Sequence, residues 1–197
     1  MRKVLNILLL IFTLMIFIAL SIYCVYDHFH DNLKDVNLNI VRGNEQGFVD
    51  YDKTYKTILD ICDTANNNQI NMINVDSVVN NLMANPWIIN AEAIVNLNTY
   101  LDVEITECNP IVRVYNKKGK SVYIDIDGNM FPSENQYVPR LLVVSGVDFP
   151  ADKLGNIYDE DYEKTNLPQT FNLIKEVLDD NYAKSYVRQI HYDKKKN

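Results

Sequence analysis

The sequence predicts an α+β protein carried behind a single membrane-length helix. Three observations predict it: an uncharged apolar run from Val4 to Val25, alternating strand and helix periodicities from Val36 to Ile105, and a strand-rich second half interrupted by one helix. The expected order is one N-terminal transmembrane helix, a β-α-α-β-β domain, and a mainly antiparallel β domain with a C-terminal helix. The 197 residues are enough for one ordinary domain or two small ones.

The apolar run reads VLNILLLIFTLMIFIALSIYCV, with Asn6, Thr13 and Ser21 as its polar interruptions. Its length is close to the roughly 20 residues that cross a bilayer core. A cleaved signal peptide has an apolar region of roughly 7–15 residues followed by small residues, so an uncleaved anchor is expected. A lipoprotein reading would modify Cys24, but bulky Ile22 and Tyr23 stand where that processing needs small side chains. Arg2 and Lys3 precede the helix and Asp27, Asp31 and Asp35 follow it, which orients the N-terminus to the cytoplasm. Residues 1–3 are then a cytoplasmic tail, residues 4–26 the helix, and the rest is exported. Tyr23, Tyr26 and Phe29 read as an interfacial aromatic belt.

Beyond the anchor, Val36, Leu38 and Ile40 alternate with Asn37, Asn39 and Val41 as a strand that Gly43 ends. From Phe48, the residues Tyr51, Tyr55, Ile58, Leu59 and Cys62 recur at helical spacing, with Asp50 as N-cap and the Asn66-Asn67-Asn68 run as the stop. Val75, Val78, Val79, Leu82 and Met83 predict a second helix, capped by Asn74 and ended before Pro86. Two strands follow. Trp87, Ile89, Ala91, Ala93 and Val95 alternate in one, Leu101, Val103 and Ile105 in the other, joined by a turn at Asn96–Thr99. Pro110 marks a domain boundary.

The second half reads as successive antiparallel strands. They run over Ile111–Tyr115, Val122–Ile126, Met130–Phe131 and Leu141–Val144, with turns at Lys117-Lys118-Gly119 and Asp127-Gly128. After an acidic loop from Asp148 to Glu163, a helix is expected from Pro168 to Tyr182, with Phe171, Ile174, Leu178 and Tyr182 on one face. Ser185 to Tyr192 reads as a further strand, followed by a turn-like Asp193–Asn197. Either that edge is open or the natural chain continues.

The composition argues against several chemistries. A formal charge of -7 gives no reason to expect nucleic acid as a partner. Asp125-Ile126-Asp127-Gly128 looks like a cation loop, but Met130 and Gln136 occupy the sixth and twelfth places, where such a loop needs glycine and glutamate. It reads instead as a hairpin turn. His28 and His30 sit at the membrane exit without a third metal ligand, and His191 is one polar residue on a terminal strand. No metal site, cofactor or small-molecule substrate is expected. Glu104 and Glu107 at a strand end read as solvated surface charges rather than an acid/base pair. Cys62 and Cys108 would pair if their backbones approach closely enough, and two buried free thiols are the expectation. Ser145-Gly146 carries no nucleophile signature. No catalytic constellation is visible, and the chain reads as a non-enzyme.

In order and spacing, VDSVVNNLMANPWI (Val75 to Ile88), NAEAIVNLNTYLDVEITECNPIVRVYN, YIDIDGNMFP and LLVVSG resemble the FtsQ/DivIB cell-division proteins. The resemblance covers most of Val36 to Tyr192. It implies a polypeptide-transport-associated (POTRA) domain over residues 35–108 and a β domain over residues 110–197, expected to be incomplete at its C-terminus. Asn85, Pro86 and Trp87 correspond to the step joining the second helix to the POTRA sheet. Asp125, Gly128, Phe131 and Pro132 belong to the opening hairpin of the β domain. The junction motif Glu-Arg-x-Pro is here Glu107-Cys108-Asn109-Pro110, without the arginine. Relatives continue past the Tyr186–Tyr192 strand, and there an FtsB-like partner adds a strand. In this sequence that contact is expected at Tyr186, Arg188, Ile190 and Tyr192, or in residues beyond it.

The function implied is a divisome scaffold in the inner membrane, single-pass with its C-terminal domains in the periplasm and concentrated at midcell. It would link early and late division proteins and help recruit or regulate septal peptidoglycan synthesis. FtsB/FtsL-like proteins are the first expected partners, and FtsK-, FtsW- and FtsI-like proteins the next. The rival reading is a membrane-tethered periplasmic sensor or ligand-binding protein, although Met1-Arg2-Lys3 is too short for a cytoplasmic signalling module.

Overall fold

The computed structural model describes residues 2–43, 47–63, 69–134 and 137–193, with side chains described for 6–26 and from 31 onward. The expected Asn66–Asn68 stop, the Lys194–Asn197 tail and the His28, Phe29 and His30 side chains lie outside it. The architecture is α+β. Helix α1 spans Arg2–His30 and contains the apolar stretch Asn6–Tyr26, long enough to cross a membrane. Strand β1 (Asp35–Val41), helix α2 (Tyr51–Asp63), a 3-10 turn at Ile70–Met72 and helix α3 (Val75–Met83) follow in order. Strands β2 (Ile88–Val95) and β3 (Tyr100–Glu107) complete a three-stranded sheet ordered β1-β3-β2. The chain divides into two compact units. The first comprises Met1–Asn39, Tyr51–Leu82 and Ala91–Glu104; the second comprises Ile40–Asp50, Met83–Asn90 and Ile105–Asn197.

Within the first unit, helical spacing selects the buried positions: Ile58 and Cys62 on α2, Val78 and Leu82 on α3. Asn74 caps α3, its Oδ1 accepting the Ser77 N–H at 2.9 Å. The alternation of β3 is intact, with Leu101 and Val103 buried and Asp102 and Glu104 turned outward. The turn before it is organised by Asn96, whose Oδ1 accepts the N–H groups of Asn98 and Tyr100. Strand β2 departs from the expected phase. Trp87 lies in the preceding turn, Ile88 is buried, and Ile89 is 47% exposed rather than part of the core. The alternation breaks at Asn90, so Ala91 resumes the buried face.

The second unit holds a mixed sheet, which corrects the expectation of successive antiparallel strands. Its strands are β4 (Pro110–Asn116), β5 (Ser121–Asp125), β6 (Met130–Pro132), β7 (Leu142–Val147) and β8 (Gln189–His191), ordered β6-β5-β4-β7-β8. Two tight turns make β4-β5-β6 an antiparallel meander. Gly119 (φ 81°) and Gly128 (φ 88°) supply the left-handed residue each turn needs. β7 then pairs with the other side of β4 in parallel, and β8 pairs with β7 in parallel. Parallel neighbours require a crossover, and residues 148–188 are that crossover. It contains α4 (Glu160–Glu163), α5 (Leu167–Asp179) and α6 (Asn181–Tyr186), so the acidic loop includes a helical turn. Phe171 and Ile174 of α5 are buried in one core with Val112, Val114, Val122 and Val144.

The expected single helix to Tyr182 is broken at Asp180, which leaves the helical region at ψ 110° and caps α6 by accepting the Tyr182 and Ala183 N–H groups. Tyr182 therefore leaves the face shared by Phe171 and Ile174 and is 74% exposed. The expected strand from Ser185 shrinks to three residues, because Ser185 and Tyr186 finish α6.

Candidate interaction surface

The terminal strand β8 is an outer strand of its sheet among the described residues. Its register sets Gln189, Ile190 and His191 against Val143, Val144 and Ser145. The Val143 N–H donates to the Arg188 carbonyl at 3.1 Å, and the Tyr192 N–H donates to the Ser145 carbonyl at 2.8 Å. Backbone groups alternate sides along a strand, so Gln189 and His191 direct their N–H and C=O groups away from β7. Ile190 and Tyr192, both half-buried, pack against the core and fix the strand from below.

Gly146 makes this pairing possible. It adopts φ 86°, and a Cβ there would run into the Tyr192 carbonyl oxygen. Beside it, Ser145 Oγ and His191 Nδ1 share a hydrogen bond of 2.9 Å. The Ser-Gly pair thus has a structural task that its sequence context conceals; a glycine inside the apolar strand Leu142–Val147 is the signal available.

The four residues expected to form one partner-binding edge are distributed over four settings. Tyr186 lies on α6, 71% exposed. Arg188 is exposed between α6 and β8, Ile190 lies in β8, and Tyr192 follows it. Only Ile190 belongs to the strand itself. Tyr182, absent from the sequence-based set, joins Tyr186: their rings sit 4.7 Å apart on the exposed side of α6. An exposed aromatic pair next to an outer strand offers a partner both main-chain hydrogen bonds and apolar contact.

The motif residues are structural. Asn85 Oδ1 accepts the Trp87 N–H at 3.1 Å, while Pro86 is exposed. The Trp87 ring stacks on Phe48 at 4.2 Å and lies near Tyr123 and Phe131 at 6.0 and 6.5 Å. Pro110 opens β4, and Pro132 closes β6 opposite Val122. Asp125 is buried. Its Oδ1 accepts the N–H groups of Asp127 and Asn129 at 3.0 and 2.8 Å, and its Oδ2 accepts from Asn129 Nδ2 at 3.0 Å, as a hairpin-turn residue does.

Glu107 overturns its reading as a surface charge. It is 4% exposed, its carboxylate accepts the N–H groups of Phe48 and Val49, and Arg42 Nε lies 3.7 Å away. The carboxylate ties Arg42, Phe48 and Val49 to the end of β3. Glu104 is exposed and accepts from Asn39 Nδ2 at 3.2 Å. Cys62 and Cys108 are both free and buried, as expected. Burial raises the Cys62 thiol, and burial, with the Glu107 and Asp125 carboxylates near, pushes the Cys108 thiol up to about 12.

Residues 109–197, which contain this surface, match the family described as FtsQ/DivIB, C-terminal related. No match to a curated protein was found.

Proposed function

We propose that the chain, whose residues 109–197 match the family described as FtsQ/DivIB, C-terminal related, is a non-enzymatic scaffold of the cell-division machinery. The family ties it to cell division, and the apolar helix Asn6–Tyr26 fits a membrane-anchored protein. On this reading the N-terminus is cytoplasmic, a POTRA-like domain (residues 35–108) and a β domain (residues 110–197) lie in the periplasm, and the protein gathers at midcell. It links early to late division proteins, FtsB/FtsL-like partners first and FtsK-, FtsW- and FtsI-like partners beyond them, and helps recruit or regulate septal peptidoglycan synthesis.

One observation carries the proposal: β8 is an outer strand whose Gln189 and His191 backbone groups are directed away from β7. A partner segment that adds a strand there gains main-chain hydrogen bonds, and the Tyr182–Tyr186 pair adds apolar contact. Anchoring partners in one membrane raises their effective concentration without any chemistry. The test is a fluorescent fusion of the full chain followed in growing bacteria, with depletion of the native protein. A midcell band and filamentation on depletion are expected; a uniform membrane signal with normal division overturns the proposal.

A further inference from the structure

The residues just past the apolar span are tied into the first unit by hydrogen bonds. Helix α1 continues from Tyr26 to His30, a rise of about 6 Å. That is the depth of one headgroup layer, because about 30 Å of hydrocarbon sits within about 40–45 Å of bilayer. The Ile70 N–H then donates to the Asp31 carbonyl at 3.0 Å, and Asn32 forms a bridge with Gln69. On a second segment, the Lys34 N–H donates to the Thr99 carbonyl at 2.8 Å and Lys34 Nζ donates to the Asn98 carbonyl at 3.1 Å. The 3-10 turn at Ile70–Met72 and the β2–β3 turn are thereby held at the exit of α1.

Each of these turns exposes an apolar side chain. Met72 is 52% exposed, and Leu97, at 87%, exceeds every other large apolar side chain described. Leu97 sits between two neutral residues, Asn96 and Asn98. The cation at this tip is Lys34, which lies 6.0 Å from the Tyr100 ring centre. Three carboxylates lie along these segments: Asp31 is exposed at the end of α1, Asp35 accepts from the Tyr55 hydroxyl and the Val36 N–H, and Asp102 accepts from the side-chain amides of Asn37 and Asn96. The turn is also held in a costly conformation: Thr99 is β-branched, buried, and at φ 68°. Such a residue persists only where its surroundings impose the geometry, and here its carbonyl is bound by Lys34.

We infer that the Leu97 turn, with Met72, inserts into the interfacial layer of the membrane that α1 crosses, so that the outer lipid surface is a second binding partner of the chain. The inference rests on the membrane-anchor reading above. An apolar tip flanked by neutral amides, a lysine and a tyrosine suits a zone that is apolar beneath and phosphate-rich above, and the hydrogen bonds to residues 31–34 place it at that depth.

The experiment uses the full chain in phosphatidylcholine vesicles, with and without brominated acyl chains, and reads tryptophan emission. The wild-type chain, whose one tryptophan is the buried Trp87, supplies the baseline. Leu97→Trp and Met72→Trp should lose most of their added emission to the brominated lipid, as should Leu14→Trp in the centre of α1. Quenching at Leu14→Trp with none at Leu97→Trp overturns the inference and leaves the anchor standing. No quenching at Leu14→Trp overturns both.

Discussion

Tyr123 is fully buried, and its hydroxyl has no hydrogen-bond partner among the described residues. The ring faces Trp87 and Phe48, and the Arg113 guanidinium lies 5.3 Å from its centre. Those contacts need the ring and not the oxygen. Tyr123→Phe should therefore stabilise the protein by about 1–2 kcal/mol, the cost of one unpaired buried hydroxyl, read as a higher urea midpoint. Cys108 makes a prediction about pH. Its folded thiol keeps its proton to about 12 whereas the unfolded one titrates near the ordinary value of 9.0. The unfolded state therefore binds fewer protons between those values, and stability should fall as pH rises from 9.0 towards 12. Cys108→Ala should flatten that slope, and maleimide at pH 8 should leave folded Cys108 unmodified until the chain is unfolded.

At the scale of elements, single residues decide how segments attach. Glu107 accepts from both the Phe48 and the Val49 amides, and Arg42 approaches the same carboxylate. Glu107→Ala should cost about 1–3 kcal/mol by orphaning those donors, with faster hydrogen exchange at Phe48 and Val49. Glu107→Gln, which keeps a carbonyl oxygen, should fall between alanine and wild type. Gly146 does the same for β8. Gly146→Ala forces a side chain into a left-handed residue and against the Tyr192 carbonyl, so it should cost about 1–3 kcal/mol. Exchange should quicken at Ile190 and Tyr192 while the β4–β5 pairing holds. The partner in neither attachment was legible beforehand. Glu107 falls in phase with the buried Leu101, Val103 and Ile105, but periodicity does not say what would satisfy a carboxylate there, and only the fold shows that the last residue of β3 meets Arg42, Phe48 and Val49. The helix break at Asp180 was more accessible, since Asp179-Asp180-Asn181 is a run of residues that favour caps over helix interiors.

For the whole molecule, the anchor and the surface at β8 should be separable. On the scaffold reading proposed above, deleting residues 1–26 is expected to move the protein from the membrane to the soluble fraction and to abolish any midcell enrichment in the fusion assay, because strand addition alone would lack the concentrating effect of a shared membrane. Local patterns along the chain already specify the membrane-length helix, helices α2 and α3, strand β3 and its buried face, the hairpin turns at Gly119 and Gly128, and the family resemblance. Each of these is written in local periodicity, turn chemistry or order along the chain. Contacts between distant segments set the parallel pairing of β7 and β8, the outward rotation of Ile89 and Tyr182, the partners of Glu107, and the scattering of the expected partner residues over α6, β8 and the positions flanking β8. Periodicity reports which side of a segment is apolar but not the direction of its neighbour in a sheet. That direction depends on where a long crossover returns the chain, and so on contacts between residues distant in sequence.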